Sequence, residues 1–148
     1  IFSTRKTIAG IRELQKYALT KGGANINRMT LDDFFFIKDN HIANTKSIIE
    51  TIAHVKAFYP KKKITVEVDN FNQLKEIINE KIDVVLLDNM SATQIKKCLK
   101  FVNGKFKCEA SGNINLANIK KIAQTKVDRI STGQLTHSVE NIDFGLEL

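Results

Sequence analysis

Short runs that are apolar at nearly every position alternate with longer segments of helical period along the whole chain. The runs are FFFI at 34–37, ITVEV at 64–68, DVVLLD at 83–88, FKCEA at 106–110 and DRIS at 128–131. Between them, Ile11, Leu14 and Ala18 share one helical face that stops at Gly22-Gly23, and Ile48, Ile52 and Val55 share another that stops before Pro60. The pattern repeats with Phe71, Leu74, Ile77 and Ile78, with Ala92, Ile95 and Leu99, and with Leu116, Ile119 and Ala123. Strands that are apolar at nearly every residue need cover on both faces. A helix after each strand supplies it, so the pattern predicts an α/β fold with a parallel sheet. The spacing, roughly 20 residues per unit, is that of a β/α barrel, and counting Ile1-Phe2 as the end of a strand gives about six units where a closed barrel has eight. An incomplete, open β/α barrel follows. The last segment, Ile142, Phe144, Leu146 and Leu148, alternates with period two and predicts an edge strand or a docking tail.

A chain of 148 residues is the size of one domain with a real core, so residues 1–148 form a single barrel domain. No apolar run approaches the ~20 residues of a membrane span. Cys98 and Cys108 lack metal-ligand spacing and predict reduced thiols in a cytoplasmic protein. The chain opens on Ile1 rather than Met, which predicts a piece of a longer polypeptide. A net charge of +7 raises the question of nucleic acid. Apart from Lys61, Lys62 and Lys63, however, the lysines are spread singly with little aromatic interleaving, so no nucleic-acid partner is expected.

The polar residues fall where such a fold concentrates chemistry. Lys38 follows FFFI, Glu67 lies near the end of ITVEV, Asp88 ends VVLL, Ser111-Gly112 follow FKCEA, and Ser131-Thr132-Gly133 follow DRI. In β/α barrels the C-terminal strand ends form the active face, so these positions predict one shared pocket. Each residue also has a packing explanation: Lys38 as a strand-end lysine, Asp88 as a helix N-cap, Glu67 as a carboxylate paired with Lys38. Their joint occurrence at successive strand ends favours a pocket. Arg5, Lys6, Arg28 and Lys38 suit a substrate carrying several carboxylates or phosphates. Glu67 and Asp88, on neighbouring strands, suit Mg²⁺ whose shell is completed by substrate phosphates. The loops ASGN at 110–113 and STGQ at 131–134 each follow a strand and precede a possible helix start, a phosphate-cradling arrangement. A phosphosugar substrate is the joint implication.

Seven blocks in order, TRKT at 4–7, GGANINRMTLDD at 22–33, IKDNHI at 37–42, VEV at 66–68, LLDNMS at 86–91, EASGNI at 109–114 and STGQLTHS at 131–138, carry a resemblance to quinolinate phosphoribosyltransferase. This is the decarboxylating nicotinate-nucleotide pyrophosphorylase of NAD biosynthesis, and the resemblance covers essentially the whole chain. It implies an incomplete barrel preceded by an N-terminal sandwich domain, which is absent from this chain. It further implies a homodimer in which the partner's N-terminal domain contributes an arginine to the pocket. The implied reaction joins quinolinate to 5-phosphoribosyl 1-diphosphate with Mg²⁺, giving nicotinate mononucleotide, diphosphate and carbon dioxide. By resemblance, Arg5, Arg28 and Lys38 bind the quinolinate carboxylates, within a substrate site that also takes in Thr4 and Asn27. Lys6 faces the phosphoribosyl diphosphate, and Glu67 and Asp88 flank ribose and metal. Ser111, Gly112 and Asn113, with Thr132, Gly133 and Gln134, surround the 5-phosphate. Lys6, Lys38, Glu67 and Asp88 form the catalytic set. His41 and His137 match family histidines with hydrogen-bonding roles, and His54 is read as surface.

The chain departs from the family pattern at three places. Asn27 stands where histidine is usual, Ser3 where aspartate usually precedes TRKT, and Asn113 where glycine is usual. Asn27 can donate a hydrogen bond to a carboxylate but carries no positive charge. The alternatives are a related phosphoribosyltransferase for another aromatic acid, including the homologues found near molybdate transport genes, and a non-catalytic barrel that binds a phosphosugar or assembles with a partner.

Overall fold

The computed structural model describes residues 1–42, 45, 47–140 and 142–147. Along the chain run β1 (Phe2–Ser3), α1 (Arg12–Lys21), β2 (Phe35–Ile37), α2 (Asp39–Ile42), α3 (Ile48–Phe58) and β3 (Ile64–Val68). They are followed by α4 (Phe71–Ile77), β4 (Val84–Asp88), α5 (Ala92–Val102), β5 (Lys107–Ser111), α6 (Ile119–Ala123) and β6 (Arg129–Thr132). All strand pairs are parallel, in the order β1-β6-β5-β4-β3-β2. This six-stranded, open half-barrel is the expected fold.

Register sorts the apparently uniform apolar strands into two faces. Val66 lies opposite Val85 and Val85 opposite Cys108, whereas Glu67 lies opposite Leu86 and Leu86 opposite Glu109. Side chains alternate along a strand, so Ile64, Val66, Val68, Val85, Leu87, Cys108, Ala110 and Ile130 share one face. These residues join Ile52 of α3, Leu74 and Ile77 of α4, and Ile95 and Val102 of α5 in the hydrophobic core. The core therefore lies between sheet and helices. The concave face carries Thr65, Glu67, Leu86, Asp88, Glu109, Ser111 and Ser131, and here the barrel keeps its chemistry.

The starts of α3, α4 and α5 are set by side chains that satisfy otherwise unpaired N–H groups. Ser47 accepts from Glu50 N, Asn70 accepts from Asn72 N and Gln73 N, and Ser91 forms a capping box with Gln94. Ser91, not Asp88, caps α5, so the packing explanation for Asp88 fails.

The expected stripes of α3, α4 and α5 face the core, but that of α1 is inverted. Ile11, Leu14, Tyr17 and Ala18 are exposed, Leu14 at 68%, while Lys16 and Leu19 are buried. Leu116 lies in the turn before α6 and is exposed; on α6 Ala123 is exposed, Ile119 is half-buried and Ile122 is the buried residue. Of the two readings of the C-terminal segment, the edge strand is not formed: residues 142–147 carry no strand pairing and are exposed, and Leu148 lies outside the described residues. Without an edge partner in register, alternation alone does not make a strand.

Candidate active site

At the C-terminal strand ends lies a cavity of about 620 Å³. It is lined by all of the strand-end and loop residues singled out in the sequence: Thr4, Arg5 and Lys6 after β1, Asn27 and Arg28 before β2, and Lys38 after it. Glu67 of β3 and Asp88 of β4 follow, then Ser111, Gly112 and Asn113 after β5, and Thr132, Gly133 and Gln134 after β6. Residues more than a hundred positions apart converge because every strand points the same way.

One wall is cationic. The Arg28 guanidinium stands 4.9 Å from the Phe36 ring and 5.5 Å from that of Phe34, and Lys38 Nζ lies 4.5 Å from Phe36. Burial, and then the Arg5 guanidinium, push Arg28 below its usual pKa. Cations crowded together in this way favour an anionic occupant. Lys38 Nζ also pairs with Glu67 Oε2 at 2.6 Å, the contact that the packing explanation for Glu67 required. Both side chains nevertheless line the cavity, so pairing and access coexist. His41, in the short helix α2, accepts the Lys38 N–H on Nδ1 at 3.1 Å. This fixes the backbone from which Lys38 projects and requires an unprotonated Nδ1. His54 is exposed, as expected.

The opposite wall is built from tight turns. Gly112 has φ +90°, and a Cβ there would lie 2.6 Å from Asn89 N, itself bonded to Ser111 O at 2.9 Å. Asn113 Nδ2 donates to Asn89 Oδ1 at 3.0 Å, and Asn89 Nδ2 donates to Asp88 Oδ2 at 2.6 Å. Thr132 Oγ1 ties the two loops together by donating to Ile114 O at 2.7 Å. After STGQ the chain makes a turn, with Thr136 N and His137 N donating to Gly133 O, rather than the helix start expected there.

Glu109 is the functional candidate that sequence reasoning missed. It is 1% exposed beneath the cavity, where its Oε1 accepts from Asn27 Nδ2 at 3.1 Å and Ser131 Oγ at 2.5 Å. Arg129 stands 3.9 Å from its Oε2. The available signal was a glutamate inside an otherwise apolar strand, FKCEA. Asn27, where family resemblance implies histidine, therefore spends one amide hydrogen on a buried carboxyl.

The family model for the quinolinate phosphoribosyl transferase C-terminal domain matches residues 1–147. The chain belongs to the quinolinate phosphoribosyltransferase family. It is 38% identical over 151 residues to the nicotinate-nucleotide pyrophosphorylase (carboxylating) of Mycobacterium leprae, covering 100% of this chain and 53% of that protein. The chloroplastic nicotinate-nucleotide pyrophosphorylase (carboxylating) of Arabidopsis thaliana is 34% identical over 167 residues, covering 100% of this chain and 48% of its own length. A crystal structure of nicotinate-nucleotide pyrophosphorylase from Ehrlichia chaffeensis superposes with a TM-score of 0.94 at 44% identity, over 99% of this chain and 53% of that one. The chain thus spans about half the length of the curated relatives it matches. Within this quinolinate phosphoribosyltransferase barrel no described helix is long and apolar enough to cross a membrane. Cys98 and Cys108 are buried free thiols, and burial, then Asp128, push the latter up to about 12.

Glu109 gives the family member a pH signature. Burial pushes its carboxyl above the ordinary value of 4.5, against the opposing Ser131 hydrogen bond and Arg129. Between the unfolded and the raised folded value, the folded state holds more protons, so this group's contribution to stability falls as pH rises through that window. In urea unfolding, Glu109→Gln should therefore gain stability relative to wild type as pH rises from below 4.5 towards neutrality. A pH-independent difference between the two would show that Glu109 ionises normally.

Proposed function

We propose that the protein carrying this chain transfers the phosphoribosyl group of 5-phosphoribosyl 1-diphosphate to quinolinate, with decarboxylation to nicotinate mononucleotide. The observation that carries the reading is the convergence of Arg5, Lys6, Arg28 and Lys38 with Glu67 and Asp88 in one cavity bounded by the 111–113 and 132–134 turns. Arg5, Arg28 and Lys38 hold the quinolinate carboxylates, with Thr4 and Asn27 beside them. The ring nitrogen is thereby presented to C1 of the ribose, and a positioned attack replaces a bimolecular encounter. As the bond to diphosphate breaks, positive charge grows on the ribose, where Glu67 and Asp88 stabilise it, and Lys6 neutralises the leaving group. The carboxylate next to the ring nitrogen then leaves as carbon dioxide. Its bonding electron pair stays on the ring carbon, stabilised by the adjacent cationic nitrogen, and a proton completes the product.

Mg²⁺ fits the donor set. Among the described residues no group of three or more His, Cys, Asp or Glu gathers to hold a metal by itself. Glu67 and Asp88 nevertheless sit on one face of adjacent strands, and neither Glu67 Oε1 nor Asp88 Oδ1 has a protein hydrogen bond among those residues. Two carboxylates plus substrate phosphate oxygens are a usual Mg²⁺ shell, and the ion would draw charge from the departing diphosphate.

A homodimer in which the partner's N-terminal domain completes the quinolinate pocket with an arginine belongs to the same proposal. It is supported by the half-length match and by the exposed apolar face of α1. A cytoplasmic location is supported by the two reduced, buried thiols. The full-length protein, given saturating quinolinate, 5-phosphoribosyl 1-diphosphate and Mg²⁺, is expected to form nicotinate mononucleotide and carbon dioxide in equal amounts, and chelation should stop the reaction. Absence of Mg²⁺-dependent product overturns the proposal, whereas full turnover by the 148-residue chain alone overturns its shared pocket.

A further inference from the structure

Lys16 is among the most deeply buried large side chains, at 1% exposure. A buried ammonium ordinarily pairs with a carboxylate, because desolvation is otherwise uncompensated. Among the described residues the ion pairs are Lys38–Glu67, Lys56–Glu80 and Arg129–Glu109, and none includes Lys16. Its Nζ donates instead to two neutral oxygens, Ser3 Oγ at 2.5 Å and Thr4 O at 2.6 Å. Burial, then Arg12, then Arg28, hold its pKa below the ordinary value, so its charge works against its surroundings. For packing alone, an apolar side chain would serve better.

What Lys16 secures is the peptide unit between Thr4 and Arg5, whose plane is fixed once its carbonyl is held. The same face of α1 grips the following residues. Gln15 Oε1 accepts from Ile8 N at 2.9 Å, Gln15 Nε2 donates to Thr136 O at 2.8 Å, and Arg12 Nε donates to Thr7 Oγ1 at 3.0 Å. Thr136 Oγ1 donates to Lys6 O at 2.5 Å. Residues 4–8 have no regular secondary structure, so these side chains replace the ladder that would otherwise orient them. The clamp also accounts for the inverted amphipathicity of α1.

We infer that Lys16 is a positioning residue which, by holding Thr4 O, aims Arg5 and Lys6 into the anion pocket. This rests on the proposed function only for the identity of the anions. The test uses Lys16→Met, of similar length without donor or charge, and Lys16→Arg in the full-length protein, with Lys16→Gln read in the same way should the methionine variant not fold. The readouts are calorimetric affinity for inorganic diphosphate, KM and kcat for quinolinate, and melting temperature. Loss of the charged hydrogen bond is expected to weaken diphosphate binding and raise KM about tenfold or more without lowering the melting temperature, and arginine should restore most of it. A fall in melting temperature or active fraction with KM and diphosphate affinity unchanged makes Lys16 a structural residue and overturns the inference. Tenfold weaker diphosphate binding in a protein that makes no nicotinate mononucleotide upholds the inference while the functional proposal fails.

Discussion

For the proposed reaction in the full-length protein, Glu67→Gln is expected to lower kcat/KM for nicotinate mononucleotide formation by roughly a hundredfold or more with the fold intact, the scale on which a single preorganised electrostatic group acts. Glu67 is on the concave face of β3, away from the helix-packed core, so an isosteric amide leaves the core untouched. The substitution removes the negative charge proposed to face the developing positive ribose and leaves Lys38, now 2.6 Å from its partner, without a counter-charge in a partly buried cavity. Ground-state binding of the dicarboxylate should tighten or hold, since Lys38 is released to it, while kcat falls. Steady-state kinetics at saturating Mg²⁺ separates the two. A variant within a few-fold of wild type in kcat would reduce Glu67 to a structural partner of Lys38.

On the proposed function, Gly112→Ala should lose most affinity for 5-phosphoribosyl 1-diphosphate, and it should destabilise the fold by about 1–3 kcal/mol from the left-handed backbone alone. The larger effect comes from crowding. The new Cβ would stand 2.6 Å from the Asn89 backbone nitrogen, which cannot retreat without breaking its bond to Ser111 O. The Asp88–Asn89–Asn113 chain of hydrogen bonds would shift with it, moving the Asp88 carboxylate and the 111–113 turn together. Gly10→Ala is the control: φ is +80°, yet nothing lies within 4 Å of the added carbon, so strain appears without the clash. Equal losses of substrate affinity in the two variants, measured by calorimetry, would refute the crowding argument.

The barrel was legible because a parallel sheet covered by helices leaves a periodic trace, and the site because parallel strands end on one side. Lys38, Glu67 and Asp88 could be read from the residues that finish apolar runs. Glu109 could not, because it sits inside its run and declares itself only through Asn27 and Ser131, which come from other elements. Lys16 was hidden for a related reason. Periodicity shows that a helix has two unlike faces, and burial of the more apolar one is only the usual outcome. On α1 the neighbouring backbone offers carbonyls, so the polar face turned inward.

By itself, then, the sequence determined the alternation of strand and helix, the open barrel and most of the pocket, which follow from local period and from residue order, and the family, which rests on the resemblance of seven ordered blocks. The tertiary structure decided which face of each strand and of α1 is covered, that Asp88 leaves capping to Ser91, and that Asn27 answers to Glu109. Those outcomes depend on strand register and on which unsatisfied donors and acceptors meet across the fold, and neither quantity is encoded in any single segment.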